Sequence, residues 1–339
     1  MKPRLEICFS FSQQTAFLFG QKYTPTESEF LLNHARSGIL LALNAMGLPQ
    51  GTGVGVMVYN CHTVMNAVEQ AGCKPVFLDV TDELTLDLDD LRKKSGQIEA
   101  LIVTHLFGIV NNVKAIKAEF PELLIVEDCA HAYGIDKLYG DFAIFSIGQG
   151  KLPSIGDGGI LKVLNDRFKG SVEKLFGGLT DYSKLQSSML FLKLWAKSLL
   201  YSHLIYGWLS LPVKNKRSVA SGKEAIALKK MCRGISAVYA IEKDQAVEKI
   251  VRRKQRATEV LEAIRPFGIS TFYLGCNAFM LVVSCESPAK LQKELAKQGV
   301  DSATHFANAI HWATEFGYAS GQCPNAEKII KHLLMIPIY

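Results

Sequence analysis

The feature that most restricts the fold of this chain is a series of short apolar runs, each too brief for a helix and each set between amphipathic stretches. Val54–Tyr59, Pro75–Val80, Ala100–His105, Leu123–Glu127, Phe142–Ser146 and Gly159–Val163 read as strands. Between them, Leu31–Met46, Val64–Ala71, Asp87–Lys94 and Val113–Glu119 read as helices, and Gly47 and Pro49 stop the first. Runs such as LIVTH and LLIVED are apolar at successive positions, so both faces of those strands must be buried. Strands of this kind alternating with helices imply a mostly parallel sheet sandwiched by helices, an α/β architecture.

With 339 residues, 48% of them hydrophobic, the chain can bury a sizeable core and has length for two units. Its character changes near residue 218. Residues 1–217 read as a large ligand-binding domain and residues 218–339 as a smaller α+β domain. In the latter, charge-rich helical stretches at Ile235–Ile264 and Pro288–Gln298 flank a strand-like run, Ala278–Cys285. Ser221 and Gly222 lie in the polar boundary. Within the large domain, residues 186–213 are an apolar helical insertion rich in Leu and aromatics. Lys193 and Lys197 interrupt it, and the uncharged stretch from Ser198 to Val213 has 16 residues. A bilayer span needs roughly 18 or more. The insertion is expected to be a helical hairpin packed on the domain or on a partner subunit. The competing reading is a helix lying on a membrane surface beside Lys214, Lys216 and Arg217.

Charged residues are 21% of the chain and the net charge is +6, spread thinly apart from clusters such as Arg252, Arg253 and Lys254. That balance suits an anionic small molecule; nucleic acid needs a concentrated basic face, and none is expected as a partner. The eight cysteines (Cys8, Cys61, Cys73, Cys129, Cys232, Cys276, Cys285 and Cys323) form no CxxC pair and match no zinc spacing. They are expected to be reduced, with no metal site, in a cytoplasmic protein. Lys2 and Arg4 are followed by Glu6 and the polar Ser10, Ser12, Gln13 and Gln14, so no signal peptide is expected.

Three features fall at the carboxyl ends of strands, where an open α/β sheet binds its ligand. Asp128 follows the strand LLIVE directly, and His131 lies three residues on. A carboxylate here could cap a helix, bind a metal or pair with a protonated ring nitrogen. Lys151 lies in FSIGQGKLPSIGDGG among Gly148, Gly150, Gly156, Gly158 and Gly159, whose backbones allow close approach of a bulky ligand. Taken alone it is as readily a solvated loop lysine, and the GxxxxGK[ST] spacing of a P-loop is absent. Ala35-Arg36-Ser37-Gly38 stands close to the start of the first long helix, where free amides with Ser37 or Arg36 suit a phosphate; otherwise it is an ordinary helical turn. An amine for an aldehyde, an anion for a pyridine nitrogen and a phosphate cup together describe one cofactor, pyridoxal 5'-phosphate (PLP). Ser146, just before the loop, can donate to its phosphate.

Several segments, in order, resemble the DegT/StrS-type aminotransferases, the sugar-aminotransferase branch of fold type I PLP-dependent transferases. They are ARSGILLALNAMGL, AVEQAGCKPVFLDV, VTHLFG, VEDCAHAYG and GDFAIFSIGQGKLPSIGDGG, with the weaker RGISAVYAIEKDQ and PNAEKIIKHLLMIPIY. The resemblance implies that 1–217 is the PLP-binding domain. It makes Lys151 the Schiff-base lysine and proton carrier, and pairs Asp128 with the pyridine nitrogen. It puts His131 near the cofactor's phenolic oxygen and gives the phosphate to Ser146 and the amides of Arg36 and Ser37. It also implies a homodimer with sites shared between subunits. Its aromatic that stacks on PLP, from a segment like PAYTYVAT, is replaced here in VYNCHTVM: Cys61 takes the place, with His62 beside it as the assigned stacking candidate and Tyr59 near. A solvated loop residue is the competing reading for His62. Met231 and Cys232 precede Arg233 where the family has an Asn that reaches across the dimer. His105, at a strand end, faces the cofactor or serves the structure.

The implied activity is transfer of an amino group from a donor such as glutamate to a nucleotide-linked keto sugar, in polysaccharide, glycan or secondary-metabolite biosynthesis. The alternatives are other PLP chemistry (a dehydratase or isomerase) and a catalytically quiet binding or regulatory homologue. Sugar dehydratases of this type replace the lysine, so retention of Lys151 argues for transamination.

Overall fold

The structure, a computed structural model, describes residues 9–202, 205–206 and 222–339. Its larger sheet has seven strands: β1 (Glu29–Leu32), β2 (Gly53–Met57), β3 (Lys74–Leu78), β4 (Ala100–Thr104), β5 (Leu124–Asp128), β6 (Phe142–Ser146) and β7 (Gly159–Val163). Their order is β1-β7-β6-β5-β4-β2-β3. From β3 to β6 neighbours run parallel, whereas β7 and β1 close one edge antiparallel. Every residue of β4 and four of the five in β5 are buried, as the unbroken apolar runs require.

Helices on the sheet include α2 (Ala35–Met46), α3 (His62–Gln70), α4 (Leu88–Lys94), α5 (Val113–Glu119) and α6 (Lys169–Gly177). Polar caps set several starts. Asp87 accepts from the amides of Asp89 and Asp90 to open α4, and Asn112 accepts from Ala115 to open α5. Two further helices pack together at one side, α1 (Phe11–Phe19) and α7 (Lys184–Leu200). Each begins with a capping box, Ser10 with Gln13 and Ser183 with Gln186.

The segment Leu31–Met46 is not one helix. Leu31 and Leu32 pair in β1 with Ile160 and Gly159 of β7, and the helix starts only at Ala35. Long-range pairing wins here: the Asn33 amide donates to the Lys229 carbonyl and its side chain to that of Ala227. Helical periodicity cannot report a partner nearly two hundred residues away.

Beyond residue 222 come α8 (Arg233–Glu242), α9 (Ala246–Ile264) and α10 (Pro288–Lys297), so the long helical stretch at 235–264 is two helices. A three-stranded antiparallel sheet, ordered β10-β9-β8, consists of β8 (Ile269–Leu274), β9 (Leu281–Cys285) and β10 (Leu333–Ile336). The run at 278–285 becomes a strand only at Leu281, since Ala278 sits at φ +48°. One apolar core joins the two sheets, with Leu41, Val103 and Ile125 in the same cluster as Met280, Val282 and Met335. The expected division at 217/218, Ser221, Cys8, the segment 207–213 of the insertion and the basic Lys214, Lys216 and Arg217 lie outside the described residues.

Gly159 locks the start of α2 to the sheet. A Cβ there would stand 2.3 Å from the Ala35 nitrogen and 2.3 Å from the His34 carbonyl carbon. The glycine thus serves a backbone-to-backbone approach, not only room for a ligand. Gly159→Ala is expected to push α2 off the strand and to cost about 1–3 kcal/mol, the usual range for overpacking. A thermal melt showing an unchanged Tm would contradict this.

Candidate active site

The sheet order reverses between β2 and β4, and the crevice at such a switch point is where strand ends can converge on a ligand. Residues following β2, the ends of β4, β5 and β6, the start of α2 and the glycine loop after β6 line one cavity of about 500 Å³. His305 and Phe306 from the C-terminal part, and Leu190, Lys193 and Leu194 from α7, complete its wall.

Asp128, Lys151, His131, Ser146 and Arg36 all line this cavity. Asp128 is the last residue of β5 and is buried. Its Oδ1 accepts from the Ala130 amide (3.0 Å) and its Oδ2 from the Thr104 hydroxyl (3.2 Å). Thr104 in turn accepts from Asn60 Nδ2 (2.8 Å). Register explains the contact, because Thr104 and Asp128 are paired across β4 and β5. Burial raises the Asp128 pKa, against the Ala130 amide and the charge of Lys151. Burial likewise pulls the Lys151 amine down to about 8, opposed by Cys61 and Asp128. A carboxylate that burial disfavours is suited to a cationic partner, and an amine near 8 is largely available as a nucleophile at mildly alkaline pH.

The His131 ring lies in an aromatic sleeve. It stacks on Phe279 at 4.4 Å between centroids, with Phe107 and Phe306 at 5.7 and 5.8 Å. Its Nδ1 accepts from the Phe107 amide (3.2 Å), which assigns the ring proton to Nε2. Burial first, then the charge of Lys151, holds its pKa well below the usual histidine range, so the ring is a neutral donor.

At the start of α2 the amides of Ala35, Arg36 and Ser37 are first-turn donors without partners in their own helix. Arg36 Nε and Gln149 Nε2 are buried N–H groups with no hydrogen-bond partner. Ser146 Oγ, at the cavity, accepts only a long bond from Gly148 (3.4 Å). These donors suit an anion such as a phosphate. The Ser37 hydroxyl is different: it is buried and faces the Ala227 carbonyl at 3.4 Å, which leaves the amide as its contribution.

The structure does not bring His62 to the cavity. The ring packs edge-on against Trp312 (4.8 Å) and lies 3.8 Å from Glu224, because residue 62 begins α3 and its side chain leaves on the outer side. Its neighbour Cys61 lines the cavity instead. Thr63 Oγ1 donates to the Cys61 sulfur at 3.2 Å. Burial pushes this thiol up, but the His62 ring and Thr63 outweigh it and the pKa is lowered. His105 is structural: its Nε2 lies 3.1 Å from Glu127 and its Nδ1 accepts from the Asn111 amide. Glu127 also holds the Tyr139 and Gly140 amides. Among the described residues no group of three or more His, Cys, Asp or Glu is placed to hold a metal.

Asn60, Thr104, Gln149, Asp157, His305 and Phe306 belong to the cavity and escaped the sequence reading. Asn60 and Thr104 stand at strand ends, as Asp128 does, and that position was their available signal. His305 and Phe306 reach the site only through tertiary contact.

A carboxylate, a depressed amine and unsatisfied anion donors in one cavity are the functional groups PLP needs, and the residues present fit it. The sequence profile of the DegT/DnrJ/EryC1/StrS aminotransferases matches residues 21–179 and 233–339. The chain belongs to this family. It is therefore a PLP-dependent aminotransferase. A "Pleiotropic regulatory protein" of Geobacillus stearothermophilus is 25% identical over 324 residues, 89% of this chain and 77% of its own length. A GDP-perosamine synthase of Escherichia coli O157:H7 is 31% identical over 137 residues, 38% of this chain and 37% of its own. The fold matches a putative sugar aminotransferase of Streptococcus pneumoniae in its PLP form with a TM-score of 0.74 at 15% identity, covering 99% of this chain and 93% of that one.

The lowered thiol makes a chemical prediction for this family member. Burial raises Cys73, Cys129, Cys276, Cys285 and Cys323, so among the described cysteines Cys61 should carry more thiolate than these at neutral pH. Brief iodoacetamide treatment with peptide mass spectrometry is expected to find Cys61 alkylated before those five, and bound PLP should protect it. Modification of any of the five first would refute the assignment.

Proposed function

We propose that this aminotransferase moves an amino group from an amino acid such as glutamate to a nucleotide-linked keto sugar, in polysaccharide, glycan or secondary-metabolite biosynthesis. The observation that carries the reading is the meeting of Lys151 and Asp128 in one cavity, each shifted by burial and each countering the other's shift. When bound, PLP supplies the electron sink for the bond broken at the amine-bearing carbon. Lys151 would hold the cofactor, and its Nζ would move the proton that the transfer requires. Asp128, steadied by Thr104 and Asn60, would answer the charge of a protonated pyridine nitrogen. His131, with its proton on Nε2, would donate to the cofactor's phenolic oxygen. Ser146, Arg36 and the Ser37 amide hold the phosphate, and the α2 terminus favours its charge. The ring-stacking place falls to Cys61, with His62 acting through it.

The sugar substrate draws support from the perosamine synthase relative and from a dTDP-3-amino-3,4,6-trideoxy-alpha-D-glucose transaminase of Micromonospora megalomicea, 28% identical over 181 residues. The net charge of +6 and the cationic Arg36 and Lys193 at the cavity suit a diphosphate. A division into 1–217 and 218–339, a homodimer and a cytoplasmic setting are part of the same proposal. Seven free cysteines among the described residues agree with that setting.

Lys151→Ala is expected to abolish the absorbance that PLP owes to its covalent link with the lysine, and to slow transfer by more than about 10²-fold, the low end for one acid–base group. A retained band would sink the assignment of the lysine. For the wild type, glutamate should convert the cofactor to its amine form and a nucleotide keto sugar should restore it. No conversion by any amino acid would favour a binding or regulatory role.

A further inference from the structure

Gln149 stands two residues before Lys151, in the loop that leaves β6, and a lysine orients its side chain. Lys197 Nζ donates to Gln149 Oε1 at 2.9 Å. An ammonium can only donate, so it selects the oxygen end of the amide. The nitrogen end, Nε2, is buried and has no hydrogen-bond partner, and Gln149 lines the cavity. Two N–H bonds are thus held away from solvent with nothing to accept them, a cost that folded proteins seldom leave standing.

Charge is unbalanced in the same corner. Lys193, which lines the cavity, and Lys197 are four residues apart on α7 and so share one of its faces. Like charges at this spacing weaken a helix, and α7 contains no acidic residue to offset them. Burial, and after it the charge of Lys193, lowers the Lys197 pKa. The carboxylate that Lys197 does feel, Asp157, is already engaged: His34 Nδ1 lies 2.6 Å from its Oδ1, and the Gly158 amide donates to the same oxygen at 2.9 Å. Leu190 and Leu194 flank Lys193 at the cavity wall, and an apolar surround strengthens any charged contact made there.

We propose that Gln149 and Lys193 form a subsite for the diphosphate of the acceptor, with Lys197 as the residue that positions the Gln149 amide. The inference rests on the nucleotide-linked acceptor proposed above and adds the groups that select it. Two ammoniums and an amide donor match a doubly charged group, whereas a carboxylate brings a single charge. The cofactor's phosphate has its own donors at the start of α2 and at Ser146, which leaves this corner for a second phosphate. A keto compound without phosphate leaves the Gln149 N–H groups unanswered in a buried place, and a site built to donate discriminates strongly against such a molecule.

Calorimetric titration of the full chain, loaded with PLP, with inorganic pyrophosphate tests this. The wild type is expected to bind it. Gln149→Glu, which removes the donors, and Lys193→Gln should each weaken binding by about tenfold or more, the scale of one hydrogen bond to a charged group. Lys197→Met should weaken it as well, and Lys197→Arg should restore it, since arginine can still donate to Gln149 Oε1. If Gln149→Glu fails to fold, Lys193→Gln, at an exposed position, carries the test. A loaded wild type that does not bind pyrophosphate, or folded variants that bind it equally well, overturns the proposal. Loss of cofactor absorbance in Gln149→Glu or Lys193→Gln also overturns it, because these donors then serve the cofactor's phosphate. A fall in solution mass by light scattering does the same, because the lysines then serve a subunit contact. Glutarate is the control for an amino-acid donor: if its affinity falls in step with that of pyrophosphate, the corner takes a carboxylate and the proposal fails. Pyrophosphate bound as expected, with no nucleotide keto sugar accepted, would sink the sugar reading and leave the subsite in place.

Discussion

A carboxylate buried at the end of a strand is expensive unless something answers its charge, and the site is arranged around that expense. Asp128 is buried, only 4% exposed. Two neutral hydrogen bonds, from Thr104 and the Ala130 amide, reduce the cost without removing it, and its pKa stays raised. The charge of Lys151 helps, but that amine is itself buried and depressed. Neither group satisfies the other fully. A pyridinium is the kind of partner that completes such a pair, so binding free energy comes from groups that the protein alone leaves partly unanswered.

Parallel pairing makes this arrangement precise. Thr104 and Asp128 end adjacent strands at the same level, and Asn60 follows the neighbouring β2, so a three-residue hydrogen-bond chain forms from strand ends. His131 has its tautomer assigned by a backbone amide and its ring plane set by Phe107, Phe279 and Phe306. For His131 the directing contacts are backbone or rigid aromatic, which limits the freedom its side chain must lose when a ligand arrives.

Much of this was legible in the order of residues, and the gaps have physical causes. The central strands were readable because burial on both faces leaves an unbroken apolar run; β6 and β7 match the residues assigned to them from sequence. Asp128 and Lys151 stood out by their place after such runs. β1 was hidden because Leu31 and Leu32 fit the helical period of α2 as well as they fit a strand. β8 and β10 depend on pairing with β9, and no local signal reports that. For Cys61 and His62 the choice turned on where α3 begins: one residue decides which side chain enters the cavity and which packs on Trp312. His305 and Phe306 come from a chain segment far from the strand ends they meet.

The cavity has two kinds of wall. One is the carboxyl end of the sheet, where Thr104, Asp128 and Ser146 cannot shift without disturbing strand pairing. The other is made of α7 and the His305–Phe306 segment, which hang from loops. Mutation can therefore remodel the second wall, and with it the molecules admitted, while the chemistry on the first is left undisturbed. A scaffold divided in this way can acquire new acceptors by drift in its peripheral elements.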